Sequence, residues 1–172
     1  NGIASLNLHT NLDCCPGGVN DVLASRLGLA DIEILNPVGT DAKGRPYGLV
    51  RIGEAAEQPL AEFAAFVKRV LSCPGVRFSD AGKPVRKVAV GGGSCGSEIG
   101  DVIAAGCDTF VTADLKYNHF EEAKYRGLNL IDAGHFETEN PVCDVLEGIL
   151  REAFPEIPVF RARAHRDETQ FL

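Results

Sequence analysis

The sequence predicts an α/β fold made of two similar, intertwined α/β domains. Three observations predict it. Apolar strand-like runs alternate with helix-like runs, one strand–loop–helix pattern occurs twice, and no low-complexity linker separates the runs. We expect the first domain over residues 1–80, incomplete in this chain, and the second over residues 81–172, with the junction near "SDAGKPVRK".

The predicted strands are short apolar runs bounded by glycine, proline or polar residues. In chain order they are "IASLNL", "IEILNPV", "YGLVRIGE", "VRKVAV", "DTFVTAD", "LNLIDAG" and "IPVFRAR". The predicted helices place apolar residues at helical spacing. In chain order they are "GGVNDVLASRLGL", "PLAEFAAFVKRVLS", "SEIGDVIAAG", "HFEEAKYRG" and "NPVCDVLEGILREAF". Asn140 and Pro141 suit the N-cap and first turn of the last helix.

Composition narrows the functional classes. The net charge is −7, from 24 acidic and 17 basic residues, and no basic stripe is present, which argues against nucleic-acid binding. The chain has 6 cysteines without a CxxC pair, and it has neither a secretory signal nor a membrane-length apolar run. We therefore expect a reduced, cytoplasmic protein. Because the chain begins at Asn1 and contains 0 methionines, we also expect it to start inside a longer protein.

The repeated pattern contains the candidate functional residues. "SLNLHTNLDCCPGGVNDVL" and "LNLIDAGHFETENPVCDVL" each contain an apolar run, a His-x-x-x-acid pair, a helix start and Asp-Val-Leu. One copy supplies His9 and Asp13, and the other supplies His135 and Glu139. A single pair of this kind is usually a surface ion pair. Two copies, placed in loops that leave strands of an open α/β sheet, favour a ligand site.

Asp13, His135 and Glu139 are the predicted metal ligands. Neutral imidazole with carboxylate oxygens suits Zn, Mn or Fe(II), and a carboxylate can bridge two ions. Three ligands are too few for two ions, so a dinuclear site would need further donors. Adjacent Cys14 and Cys15 are interpreted as loop packing.

The loop "GGGSCGSE" is a competing signal. Gly91, Gly93 and Gly96 satisfy G-x-G-x-x-G after a strand, and Asp114 follows at the spacing of a ribose-binding acid. The glycines equally suit a tight turn with close helix packing. We predict the structural or anion-binding role and no nicotinamide site, because a dinucleotide would leave the His-x-x-x-acid pairs without a function.

These motifs resemble those of the GTP cyclohydrolase 1 type 2 homologues, the Nif-three-like dinuclear metal centre proteins. "HTNLD", "GGVNDVLA", "GGGSCG", "TADLKYNHFEEA" and "LIDAGHFETE" span almost the whole chain in that family's order. The resemblance implies two divalent ions held by Asp13, His135 and Glu139 together with an upstream His-His pair, which this sequence lacks. It also implies two similar α/β domains and a homohexamer. "TAD" and "KYNH" depart from the family's "TGD" and "KYH", which leaves the role of His119 open.

Three functions follow as hypotheses. The first is a metal-dependent hydrolase of a small or nucleotide-like substrate; the family name adds GTP ring opening. No catalytic residue is assigned, and His9 and His119 are candidate proton carriers. The second is a non-enzymatic metal-binding scaffold or metal-handling protein. The third is a dinucleotide-binding enzyme that uses "GGGSCG". His165, in the polar tail "RAHRDETQ", is predicted to be solvated.

Overall fold

The computed structural model describes residues 2–172, which form a six-stranded mixed sheet, a two-stranded ribbon and seven α-helices. Asn1, which the prediction assigns to the incomplete first domain, lies outside the described residues. The strands are β1 Ala30–Leu35, β2 Gly39–Thr40, β3 Pro46–Tyr47, β4 Val50–Gln58, β5 Arg77–Ser79, β6 Val85–Val90, β7 Thr109–Thr112 and β8 Asn129–Asp132. The helices are α1 Thr10–Cys14, α2 Val19–Arg26, α3 Leu60–Leu71, α4 Ile99–Ala104, α5 Tyr117–Tyr125, α6 His135–Glu139 and α7 Val142–Ala153, with a 3-10 turn at Gly96–Glu98. Within residues 2–172, no helix is both long and apolar enough to cross a membrane.

The sheet brings three loops to one edge. Its strand order is β1-β4-β6-β7-β8-β5. Strands β6, β7 and β8 run parallel, whereas β1, β4 and β5 pair in the antiparallel sense. The carboxyl ends of β6, β7 and β8 therefore lie side by side. This is the position at which open α/β sheets bind ligands.

Helices cover both faces of the sheet, which explains the apolar character of its central strands. Neighbouring residues of β8 point to opposite sides. Ile131 packs with α2 and α3 in one core cluster, and Leu130 packs near α4 and α5 in the other. In β7, Val111 belongs to the first of these clusters and Phe110 to the second. This three-layer arrangement confirms the predicted α/β class.

Two predicted strands are absent from the described residues. Residues 2–9, which contain "IASLNL", and residues 157–163, "IPVFRAR", adopt no regular structure. Their apolar side chains are exposed, as Ile3 at 84% and Phe160 at 80% show. A strand is stabilised by backbone hydrogen bonds to a neighbour, and neither segment is paired in the two described sheets. The six-stranded sheet takes strands from both sides of residue 80, and the two-domain division stays a prediction.

The buried thiols give a direct test of this packing. Burial raises the pKa of Cys73 and Cys95 to about 12 and that of Cys107 to about 11. At pH 8 we expect these three thiols to resist alkylation in the folded protein, because the reactive thiolate is nearly absent. Cys143, which is only partly buried, is expected to react before these three. Mass spectrometry after iodoacetamide labelling, with and without denaturant, measures this order. Equal labelling of all cysteines before unfolding would contradict it.

Candidate metal centre

Three polar segments meet at the carboxyl edge of the parallel strands. The glycine loop, residues 91–96, follows β6; Asp114 follows β7; and His135 follows β8 after a short turn. Gly134 has φ +86, a conformation that glycine adopts without the steric cost of a side chain. That turn allows the chain to pass from β8 directly into α6.

His135 and Glu139 lie on the short helix α6 and not in a loop, which corrects the sequence interpretation. Asn140 follows α6, and Pro141 takes the N-cap position of α7 that was predicted for Asn140. Residues four apart face the same side of a helix. His135 Nε2 accordingly lies 3.1 Å from Glu139 Oε1. A helix of five residues is too short for a periodicity argument to detect.

The second ring nitrogen of His135 contacts Asp114. Nδ1 lies 2.7 Å from Asp114 Oδ2, so the imidazole sits between two carboxylates. Burial lowers the pKa of His135, but the hydrogen bond to Asp114 and the charge of Glu139 outweigh it, and the pKa is raised overall. The sequence had suggested Asp114 only as a ribose-binding acid.

Asp13 faces the same place from the other copy of the repeated pattern. It lies on α1, whose N-cap residue is His9. The pKa of Asp13 is raised, mainly by burial and secondly by the charge of Glu139. The charges of His9 and His135 act in the opposite direction and lower it.

A cavity of about 530 Å³ opens beside these groups. Asp13, His135 and Glu139 all line it, together with His9. Its remaining wall is mostly apolar and is formed by Leu6, Leu8, Leu12, Val19, Phe136, Val142 and Leu146, with Asn140, Cys143, His165 and Asp167. The structure thus gives all three predicted ligands access to one space.

The glycine loop packs under this site. The Gly92 amide donates to Asn20 Oδ1 at 2.6 Å, and the Gly93 amide donates to Thr138 Oγ1 at 2.9 Å. The Gly91 amide donates to the Val111 carbonyl at 3.0 Å, and the Cys95 amide to Thr112 Oγ1 at 3.1 Å. A pyrophosphate-binding loop must keep its amides free for phosphate oxygens. This geometry favours the structural interpretation over dinucleotide binding.

Gly93 also leaves room for the candidate ligands. A Cβ built on this residue would lie 2.4 Å from Glu139 Oε1 and 3.1 Å from His135 Nε2, and φ is +64. Only glycine allows the backbone to approach both groups so closely. The third position of the "GGG" run is therefore explained by the site beside it.

Three further residues join the segments that form the site, and they were not identified from the sequence. The fully buried Asn20 donates to the Asp13 carbonyl at 3.2 Å as well as accepting from Gly92. Arg51, also buried, donates to the Cys14 carbonyl at 3.2 Å. Thr138 joins α6 to the glycine loop. The available signal was a polar residue inside an apolar pattern, as in "LVRIG".

The remaining histidines have other contacts. His119 Nδ1 accepts from the Lys116 amide at 3.2 Å and caps α5, and His119 is absent from the cavity lining. His165 was predicted to be solvated, and it is exposed. Its ring lies 5.1 Å from that of Phe136, and its Nε2 lies 2.8 Å from Asn140 Oδ1. His9 is the one proton-carrier candidate of the two that reaches the cavity.

The donor chemistry fits a divalent ion in part. Two ligand atoms that are each about 2.0–2.2 Å from one ion lie roughly 3 Å apart, and His135 Nε2 and Glu139 Oε1 match this separation at 3.1 Å. If Nδ1 carries the only ring proton toward Asp114, Nε2 and Oε1 are both acceptors, and either a second ring proton or a metal cation between them would make the contact favourable. Within residues 2–172, however, no group of three or more His, Cys, Asp or Glu side chains is close enough to hold an ion.

Comparisons with known proteins agree with the motifs. The family described as Duf34/NIF3 (NGG1p interacting factor 3) matches residues 1–168. The chain is 38% identical over 152 residues to a "GTP cyclohydrolase 1 type 2 homolog" of Nostoc sp., covering 87% of this chain and 56% of that protein. It is 41% identical over 151 residues to the homologue of Streptomyces coelicolor, covering 84% and 52%. The chain thus spans about half the length of these relatives.

Solved structures show the same fold. A hypothetical protein of Staphylococcus aureus superposes with a TM-score of 0.86 at 29% identity, covering 96% of this chain and 67% of that one. A Bacillus cereus protein related to NIF3 gives 0.85 at 24% identity, covering 95% and 72%. The family match extends over nearly the whole sequence, and the chain belongs to the DUF34/NIF3 family.

Proposed function

We propose that the protein is a divalent-metal-dependent hydrolase of a small or nucleotide-like substrate, with Asp13, His135 and Glu139 among its metal ligands. The observation that carries the proposal is the facing pair His135 Nε2 and Glu139 Oε1, 3.1 Å apart at the cavity rim. The family resemblance adds that the centre is dinuclear, holds Zn, Mn or Fe, and takes further ligands from a His-His pair. A bound divalent ion supplies Lewis acidity toward a substrate oxygen.

The residues around the cavity would each have a separate role. Glu139 and Asp13 provide negative charge that offsets the charge of a cation, and His135 provides the nitrogen donor. His9 lines the same cavity and is placed to accept or donate a proton at its ring. The apolar wall would hold the uncharged part of a substrate and keep bulk water away from the polar edge.

Metal content tests the ligand assignment. We expect His135→Ala to remove most of the bound metal, because it deletes the only nitrogen donor of the three. Glu139→Gln keeps the shape but loses the charge, so it should reduce metal content while leaving the thermal transition nearly unchanged. Elemental analysis of the full chain and both variants measures this. His119→Ala is the control, since His119 caps α5. Equal metal content in all four proteins would show that α6 is a structural corner.

Turnover separates a hydrolase from a scaffold. The metal-loaded full chain is assayed on a panel of small phosphoesters, cyclic amides and nucleotides, GTP included. We expect hydrolysis of at least one class, and loss of it in His135→Ala. Stoichiometric metal binding without turnover on any member would favour the non-enzymatic scaffold.

We also propose that the protein assembles as a homo-oligomer, a hexamer by family resemblance. Support comes from apolar side chains that stay exposed on and after α7: Ile149, Leu150, Phe154, Ile157 and Phe160. Exposed apolar groups in one region commonly mark interaction surfaces. Light scattering of the full chain with metal present should give a mass several times that of one chain. A uniform monomer would contradict the assembly.

A further inference from the structure

We infer that Asp114 is the positioning residue for His135, and that it fixes which ring nitrogen faces the proposed metal centre. This inference rests on the proposed function and deepens it. Asp114 Oδ2 lies 2.7 Å from His135 Nδ1, and Glu139 Oε1 lies 3.1 Å from Nε2. Because the Asp114 contact is shorter, it wins the competition for the single proton of a neutral imidazole.

The consequence is a defined tautomer. With the proton on Nδ1, the lone pair of Nε2 points toward Glu139 and the cavity. Histidines that bind metals generally donate their other N–H to a carboxylate or carbonyl, which orients the ring and raises its basicity. Asp114 contacts Nδ1 from the side of the ring opposite to Glu139, so it acts through His135 and not as a ligand of the same ion.

The backbone of Asp114 adopts a conformation that few residue types tolerate. Asp114 has φ +54, a left-handed conformation that is costly for most residues and tolerated by Asp and Asn. Both neighbours are held: the Ala113 amide donates to the Gly93 carbonyl at 2.9 Å, and the Leu115 amide donates to Asp132 Oδ2 at 3.1 Å. Strained backbone that its surroundings hold in place is typical of functional positions.

Asp31 provides a matched control. It is also an aspartate with positive φ, at +50, but it lies exposed on the edge strand β1, separated from β8 by β4, β6 and β7. Glycine adopts this conformation without strain. Asp114→Gly and Asp31→Gly therefore make the same chemical change at the same kind of backbone, and only the first removes a partner of His135.

Two readouts test the inference in the full chain. The first is the tautomer of His135 in metal-free protein, measured by imidazole ¹⁵N NMR at a pH above its titration. The resonance is assigned by its loss in His135→Ala. We expect the Nδ1–H form in wild type and in Asp31→Gly, and a shift toward Nε2–H in Asp114→Gly. The second readout is zinc affinity by competition with a chelating dye.

We expect Asp114→Gly to bind zinc about tenfold more weakly, the lower end of outer-shell effects, because both side chains of the pair are about half exposed. Asp31→Gly should bind as wild type does. An unchanged tautomer in Asp114→Gly, or unchanged zinc affinity, would overturn the inference. If wild type binds no zinc, manganese or iron, the proposed function fails, and the tautomer measurement still decides whether Asp114 orients His135.

Discussion

Gly93→Ala is expected to abolish tight metal binding while leaving the protein folded. The added methyl carbon would lie 2.4 Å from Glu139 Oε1 and 3.1 Å from His135 Nε2, far inside normal contact distance. Glu139 has a flexible side chain that is 37% exposed, so it can rotate away. Relief of the clash therefore displaces a proposed ligand. We expect metal affinity to fall by at least about a hundredfold, or roughly 3 kcal/mol.

Gly82→Ala separates this clash from backbone strain. Gly82 has φ +76, and a Cβ built there meets nothing within 4 Å. Both substitutions impose a side chain on a left-handed residue, which costs about 1 kcal/mol of unfolding free energy. Denaturant titration should show this loss in both variants, and metal titration should show a defect only in Gly93→Ala. Wild-type affinity in Gly93→Ala would remove the glycine loop from the site.

The central strands and main helices were predictable because burial dictates their sequences. β7, β8 and the carboxyl half of β6 are buried on both faces, and such strands appear in a sequence as short continuous apolar runs. Helix α3 places Leu60, Phe63 and Val67 on one buried face, which gives the helical spacing directly. In these elements the residue types and the environment agree, so local patterns suffice.

Segments that bury little were not predictable. Alternating apolar residues favour a strand, yet pairing depends on a neighbour that the segment itself does not encode. Residues 2–9 and 157–163 show this, because their patterns suit strands but neither segment pairs with a strand of the described chain. Helix α6 was not predicted, for a different reason. Its five residues give too few turns for a period to be distinguished from a loop.

In the candidate site, too, local contacts were predictable from the sequence and long-range contacts were not. The His135 and Glu139 pair is local, so the spacing of four residues was visible in the sequence. The contact between His135 and Asp114 joins the ends of two parallel strands, and it becomes visible only once the sheet order is known. The contact of Asn20 was even harder to predict from the sequence, because its hydrogen bond links α2 to the glycine loop across 72 positions. Long-range polar contacts carry no periodic signal.

Arg51→Met is expected to produce the largest loss of stability. Arg51 is 1% exposed and forms an ion pair with Asp21. It also donates to the Gly48 carbonyl at 2.7 Å and to the Cys14 carbonyl at 3.2 Å. Methionine fills similar volume without donors, so it removes the cation beside the Asp21 carboxylate and one donor from each of the two carbonyls. Within residues 2–172, Asp21 keeps only the Gly17 amide, and the Cys14 carbonyl keeps only the Gly48 amide at 3.4 Å. Removing one partner of a buried ion pair typically costs 3–5 kcal/mol; because Asp21 keeps 31% exposure, we expect about 3 kcal/mol.

Arg86→Met is the matched control for this prediction. Arg86 pairs with Glu57 at 2.7 Å, but the two side chains are 59% and 57% exposed, and exposed pairs contribute at most about 1 kcal/mol. Urea titrations of both variants measure the difference in unfolding free energy. Arg51 also anchors the Cys14 carbonyl directly after Asp13, so Arg51→Met should weaken metal binding even at temperatures where the protein stays folded. Losses of stability within about 1 kcal/mol of each other in the two variants would mean that water replaces the Arg51 contacts. The carboxyl end of α1 would then be held without Arg51, by contacts such as the Asn20 hydrogen bond to the Asp13 carbonyl.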